Sequence, residues 1–143
     1  MTIEPTQGVL ERTRAQAHPL CIVCGRAQGG GLGLRFSLRD DGSVEARFDC
    51  EPIFQGYDGV LHGGLASALL DGAMTNCLFA RGVVAVTAEL TIRFRRPVEV
   101  GRPLIARARV SYVREPLHVV EAELIQDGEV KATAIGKFME TSA

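Results

Sequence analysis

The stretch His62-Gly63-Gly64-Leu65-Ala66-Ser67-Ala68-Leu69-Leu70-Asp71 opens a segment whose periodicity predicts a helix from about His62 to Ala80. Leu65, Leu69, Ala73 and Cys77 recur along it at helical spacing. Two glycines at a helix start leave backbone N–H groups uncovered, where the helix dipole carries roughly half a positive charge. Such an end can polarise a carbonyl oxygen. About two and a half turns further on stands Asp71, a residue type that forms helices poorly and is seldom buried without a purpose. Ser67 and Thr75, one turn to either side, extend it into a narrow polar stripe on a helix otherwise apolar all round. A polarising helix end and an acid on the same helix point to hydrolysis of an activated acyl group.

The flanking sequence reads as strands. Leu32, Leu34, Phe36 and Leu38 alternate with glycine or polar residues, and Asp40-Asp41-Gly42 turns the chain. Val44, Ala46 and Phe48 then alternate against Glu45, Arg47 and Asp49, which predicts a β-hairpin with one buried face. Beyond the helix the apolar positions are Val86, Ala88, Leu90, Ile92 and Phe94, then Ala106, Ala108, Val110 and Tyr112. Val120, Ala122 and Leu124 follow, and finally Val130, Ala132, Ala134 and Phe138. Long antiparallel strands, apolar on one face, need a cover, and the sequence offers only one long helix. The expected architecture is therefore α+β, with one long central helix wrapped by a curved antiparallel β-sheet. Residues 1–143 read as a single domain, with 1–30 as an N-terminal helix and loop extension.

Composition narrows the function classes. A chain of 143 residues, 46% hydrophobic and 23% charged, is that of an ordinary globular protein. A net charge of −1 gives no general attraction to nucleic acid or to an anionic membrane. Met1-Thr2-Ile3-Glu4-Pro5 lacks a secretory layout, and no apolar run approaches the ~20 residues that cross a bilayer. The expected location is cytoplasmic, with neither nucleic acid nor membrane as partner. His18-x-x-Cys21-x-x-Cys24-Gly25 resembles half of a zinc site, but no second half follows nearby. It reads as a compact turn closed by small thiols, and no metal is expected. The glycines from Gly25 to Gly33 form a loop without the Gly-Lys-Ser/Thr ending that cradles phosphate.

The combination of motifs resembles a known family. A helix beginning His62-Gly63-Gly64 follows a Gln55-Gly56…Gly59 loop and precedes Thr87-Ala88-Glu89-Leu90-x-Ile92-x-Phe94-x-Arg96-Pro97-Val98. Together these resemble the hotdog-fold acyl-CoA thioesterases, in particular the phenylacetate-pathway (PaaI-like) branch. The opening Cys21-x-x-Cys24-Gly25 with Gly31-Leu32-x-Leu34-x-Phe36 also recurs in some of these proteins. The resemblance implies hydrolysis of an acyl-CoA thioester, no cofactor beyond the coenzyme A of the substrate, and a homodimer or dimer of dimers with active sites at the subunit interface. Carried over by position, the Gly63 N–H binds the thioester carbonyl and His62 shapes the turn. Asp71 activates or positions the attacking water, or attacks the carbonyl itself. Thr87 stands where a related serine helps to hold the water, and Gln55 near where members orient the substrate with Asn or Gln. The spacing from Gln55 to His62 does not match every branch.

Gly64 and Thr75 adjoin these positions and are candidates for contact with substrate. Arg93, Arg95 and Arg96 form the densest basic cluster, and Arg93 and Arg95 share a strand face suited either to coenzyme A phosphates or to plain solvation. Leu61, Met74, Leu78 and Phe79 are candidates for an acyl pocket. Two other functions stay open: a hydratase or dehydratase using an acid and a histidine, for which Asp58-x-x-x-His62 is a short-spaced candidate, and a non-catalytic acyl-CoA-binding protein.

Overall fold

The computed structural model describes residues 4–25 and 30–141. The chain runs α1 (Gln7–Ala17), β1 (Ser37–Leu38), β2 (Val44–Asp49), α2 (Gly63–Phe79), β3 (Ala85–Phe94), β4 (Pro103–Arg114), β5 (Leu117–Gln126) and β6 (Glu129–Glu140). Helix α2 is the expected central helix, with His62 as N-cap and Ala80 as C-cap. Its apolar residues are buried on nearly every side, because β2 to β6 and α1 all pack against it. Leu69, Leu70, Met74, Leu78 and Phe79 are fully enclosed, each contributing about 1.5–3 kcal/mol relative to exposure. Propensity alone would not hold this helix, since it contains three glycines, an Asp, a Thr and an Asn. Burial does.

The six strands form one sheet in the order β1-β2-β4-β5-β6-β3, every neighbouring pair antiparallel. Asp127 and Gly128, both at positive φ, make the tight turn between β5 and β6. The alternation holds best on β5, where His118, Val120, Ala122, Leu124 and Gln126 are all buried. The predicted first strand is shorter than expected. Only Ser37–Leu38 pairs with β2, because the Leu32 and Leu34 N–H groups donate to the carbonyls of Ile22 and Val23 instead. Within residues 1–30 the chain forms α1 and this turn, while the middle of the glycine-rich loop (26–29) lies outside the described residues.

The two edges of the sheet differ. At one, the Gln7 side chain of α1 accepts from the Leu38 N–H at 2.6 Å and donates to the Phe36 carbonyl at 3.1 Å, so a helix covers the short strand β1. At the other, β3 runs ten residues with its outer edge unpaired among the described residues. Val86 and Phe94 on it are 55% and 56% exposed. That corrects the expectation that Val86 and Ala88 face the core, whereas Phe94, opposite the buried Ala132, keeps the face of Leu90 and Ile92 and is exposed at the end of the strand. A β-bulge at Ala88 explains the difference: Thr87 pairs with Phe138 but Glu89 with Lys137, so one extra residue is inserted. The bulge exchanges the faces of the strand on its N-terminal side only. Thr87, paired to the buried Phe138, turns toward α2 along with Leu90 and Ile92.

Candidate active site

The site grows from the two ends of one helical stretch. At the start of α2, the imidazole Nδ1 of His62 accepts the Gly64 N–H at 2.9 Å. A Cβ on Gly64 would lie 3.0 Å from that ring, which explains why glycine follows the cap so closely. The loop glycine Gly56 packs behind His62, and the His62 N–H donates to the Phe54 carbonyl at 2.9 Å. His62 is thus committed to shaping the turn, as expected. The Gly63 N–H has no partner among the described residues and points from the positive end of the helix. A Cβ at Gly63 would meet only the Phe94 ring, at 3.9 Å, so the space in front of it is open. A cleft of about 240 Å³ lies there, lined by Gly56, Tyr57, Leu61, His62 and Gly63.

Asp71 is half-buried on the same helix, and the Thr87 hydroxyl donates to its Oδ1 at 2.6 Å. The bulge in β3 is what aims Thr87 there. The structure thus brings Asp71 and Thr87 together, with the threonine hydroxyl on the acid itself. The rest of the polar stripe turns inward upon the helix. The Ser67 hydroxyl donates to the Gly63 carbonyl at 2.8 Å and the Thr75 hydroxyl to the Asp71 carbonyl at 2.9 Å. Thr75 is only 6% exposed, so its expected place at a substrate surface does not hold within this chain. Gln55 stands in the loop before the helix, and its Oε1 accepts the Gly59 N–H at 3.1 Å, closing that loop.

The basic cluster lies elsewhere. Arg93 pairs across to Thr133, and Thr133 and Arg95 line a cleft of about 440 Å³ with Arg39, Arg107 and Arg109, on the sheet face turned away from α2. Arg96 reaches Glu129 at 3.7 Å on the surface. None of the three joins Gly63 or Asp71 within this chain. Met74, Leu78 and Phe79 are core residues, so of the four acyl-pocket candidates only Leu61 touches the cleft at Gly63. Asp58 is exposed in its loop, and His62 is already spent on the cap, which leaves the acid–histidine pair of a hydratase unassembled.

Thiols offer no alternative nucleophile on α2, since burial pushes Cys77 up to about 11 and keeps it neutral. Three residues were not visible as site neighbours in the sequence. Phe94 borders Gly63, Tyr57 borders the cleft, and His18 comes near α2, its ring edge-on to Phe79 at 5.0 Å. Burial lowers the pKa of His18, the charge of Asp71 raises it and Arg14 lowers it. No periodicity carried these; each depends on which elements meet.

One helix enclosed by a curved antiparallel sheet is the hotdog architecture. The Escherichia coli PaaI protein of the phenylacetic acid degradation operon matches it with a TM-score of 0.77, over 94% of this chain and 97% of its own, at 23% identity. A phenylacetic acid degradation-related protein of Ralstonia eutropha JMP134 matches with a TM-score of 0.73, over 92% and 98%, at 29% identity. The family model described as the Thioesterase superfamily matches residues 58–133, just over half of the sequence, and the chain belongs to that superfamily. It is also 35% identical, over 71 residues, to the acyl-coenzyme A thioesterase THEM4 of Bos taurus. That match covers 48% of this chain and 29% of THEM4, so the chain spans under a third of that relative's length. Among the described residues no helix is long and apolar enough to cross a membrane.

Because His62 caps α2 through Gly64, a His62→Ala variant is expected to lose about 1 kcal/mol of stability. His62→Asn, which can also cap, is expected to recover most of it. Urea denaturation of the three proteins measures both changes.

Proposed function

We propose that this protein hydrolyses acyl-CoA thioesters to the free acid and coenzyme A, in active sites shared between two copies of the chain. One observation carries the proposal. The open Gly63 N–H and the Asp71 carboxylate stand eight residues apart on one helix, about 12 Å at the rise of an α-helix. A single carbonyl cannot lie within hydrogen-bond reach of the first and within attacking reach of the second. Each site therefore takes Gly63 from one copy and Asp71 from another. The long, uncovered and partly apolar edge of β3 supplies the seam, since pairing two such edges extends the sheet and covers Val86 and Phe94.

The chemistry follows from the parts. The Gly63 N–H, at the positive end of α2, stabilises the negative charge that gathers on the thioester oxygen. Thr87 holds Asp71 through Oδ1, which leaves Oδ2 to take a proton from water or to attack the carbon directly. Attack by water forms the new C–O bond of the acid directly, and attack by Asp71 forms an anhydride that water then opens. In both routes the C–S bond breaks and a proton from that water ends on the coenzyme A thiolate. Thiolate is a good leaving group, so polarisation and placement matter more than protonation of the departing sulfur. Arg93, Arg95 and Arg96, flanking Phe94 at the end of the same edge strand, are the cations that meet coenzyme A phosphates. The assembly is a homodimer, or a dimer of dimers.

Release of free thiol from a panel of short, long and aromatic acyl-CoAs tests the proposal. At least one member of the panel is expected to be turned over. A change in enoyl absorbance without thiol release would instead establish a hydratase, and saturable binding without either would establish an acyl-CoA-binding protein.

A further inference from the structure

Upstream of α2 the chain gathers three donors that thioester hydrolysis leaves unused. His18 is the C-cap of α1, and Cys21 and Cys24 stand in the tight turn that follows. One ligand atom from each lies within 4.8 Å of the other two. Nδ1 of His18 faces Sγ of Cys24 at 3.8 Å. Zinc–sulfur and zinc–nitrogen bonds meeting at a tetrahedral angle hold the two ligand atoms about 3.6 Å apart. The observed His18–Cys24 spacing is already close to that edge.

The backbone is built around the first sulfur. The Val23 N–H donates to Cys21 Sγ at 3.3 Å, which fixes where that sulfur points. The Gly25 N–H then closes on the Cys21 carbonyl at 2.8 Å, and a Cβ at Gly25 would lie 2.5 Å from both the nitrogen and the oxygen of Cys21. Only glycine permits so tight a return. Arg14 and Arg35 fix the turn from outside, donating to the Cys24 carbonyl at 3.1 and 2.6 Å. On the inner side Asn76 sets its amide against the Cys24 thiol. Asn76 is fully buried and its Oδ1 has no hydrogen-bond partner among the described residues. A buried, unpaired acceptor on the residue that meets the Cys24 thiol is what a bound water of such an ion would satisfy.

We propose that His18, Cys21 and Cys24 bind one zinc ion, with a water or small ligand in the fourth position. Two thiolates and a neutral imidazole offset its charge and match its preference for sulfur and nitrogen. The ion clamps the N-terminal segment onto the catalytic helix. Val23, between the two cysteines, packs on Gly72 so closely that a Cβ there would lie 2.7 Å from Val23 Cγ1. Gly72 adjoins Asp71, so the clamp supports the helix at the acid without touching the substrate. The assignment does not depend on the hydrolytic one.

The whole chain, reduced and stripped of metal, is titrated with Co²⁺ and then Zn²⁺. The expected result is a sulfur-to-cobalt charge-transfer band and tetrahedral visible bands that saturate near one ion per chain, both bleached by zinc. Cys21→Ser and Cys24→Ser are expected to lose the charge-transfer intensity, and His18→Ala to weaken binding more than tenfold. Asp71→Asn is expected to bind cobalt like the unaltered protein. Should a cysteine variant fail to fold, zinc protection of Cys21 against alkylation in the unaltered chain, read by mass spectrometry, replaces it. Absence of the bands with excess cobalt, bands undiminished in a folded cysteine variant, or alkylation indifferent to zinc would each overturn the site.

Discussion

Asp71→Ala is expected to release thiol from acyl-CoA at no more than about a hundredth of the unaltered rate, the scale of loss that follows removal of one such transition-state group. The fold should survive the change. Asp71 is half-buried and its side chain makes one hydrogen bond, to the Thr87 hydroxyl on an exposed strand, which can turn to water once the carboxylate is gone. Unfolding curves of the variant should therefore lie close to those of the parent. Asp71→Asn separates charge from shape: it can still accept from Thr87 but neither takes a proton nor attacks, so it should be as inactive as the alanine variant. Thr87→Val leaves the acid in place without its orienting donor and should be far milder. Full hydrolysis by a folded Asp71→Asn protein would remove Asp71 from the mechanism.

Much of this was legible in the residues themselves. The bounds of α2 follow from a capping residue, two glycines and a helical repeat, all local features. The long strands β4 to β6 follow from alternation, because one face of each is packed against α2. What escapes the sequence depends on contacts between distant segments. The bulge at Ala88 leaves a clean alternation on both sides and shifts one against the other, so the pattern alone places Thr87 on the wrong face. The first strand is cut short because Leu32 and Leu34 find hydrogen-bond partners in the cysteine turn, about which their own spacing says nothing. Thr75 stands one turn from Asp71 as predicted, yet what covers that part of the helix decides whether it meets substrate, and the cover is core. Arg95 lies just past the end of β3, where its N–H and that of Arg96 both donate to the Lys131 carbonyl, so strand parity does not carry from Arg93 to it. Which face a bound coenzyme A would meet depends on a second copy.

Two inactive variants are expected to restore one another when mixed. Gly63→Val places a branched side chain where the thioester carbonyl must sit, while the 3.9 Å approach of Phe94 leaves room for its Cβ in the fold. Alone it should be as inactive as Asp71→Asn, because every site in either homodimer lacks one essential part. In a mixed dimer the two substitutions fall together in one site, and the other has an unaltered Gly63 from one chain and an unaltered Asp71 from its partner. Subunits dissociated, mixed in equal amounts and reassociated should recover about a quarter of the parental rate, since random pairing makes half of the dimers mixed and each holds one intact site of two. Were both groups supplied by the same chain, every site would carry one defect and mixing would recover nothing. The second outcome would overturn the shared site. What speaks against it is the roughly 12 Å of helix between Gly63 and Asp71, held intact by Leu69 and Leu70, fully buried in just that interval.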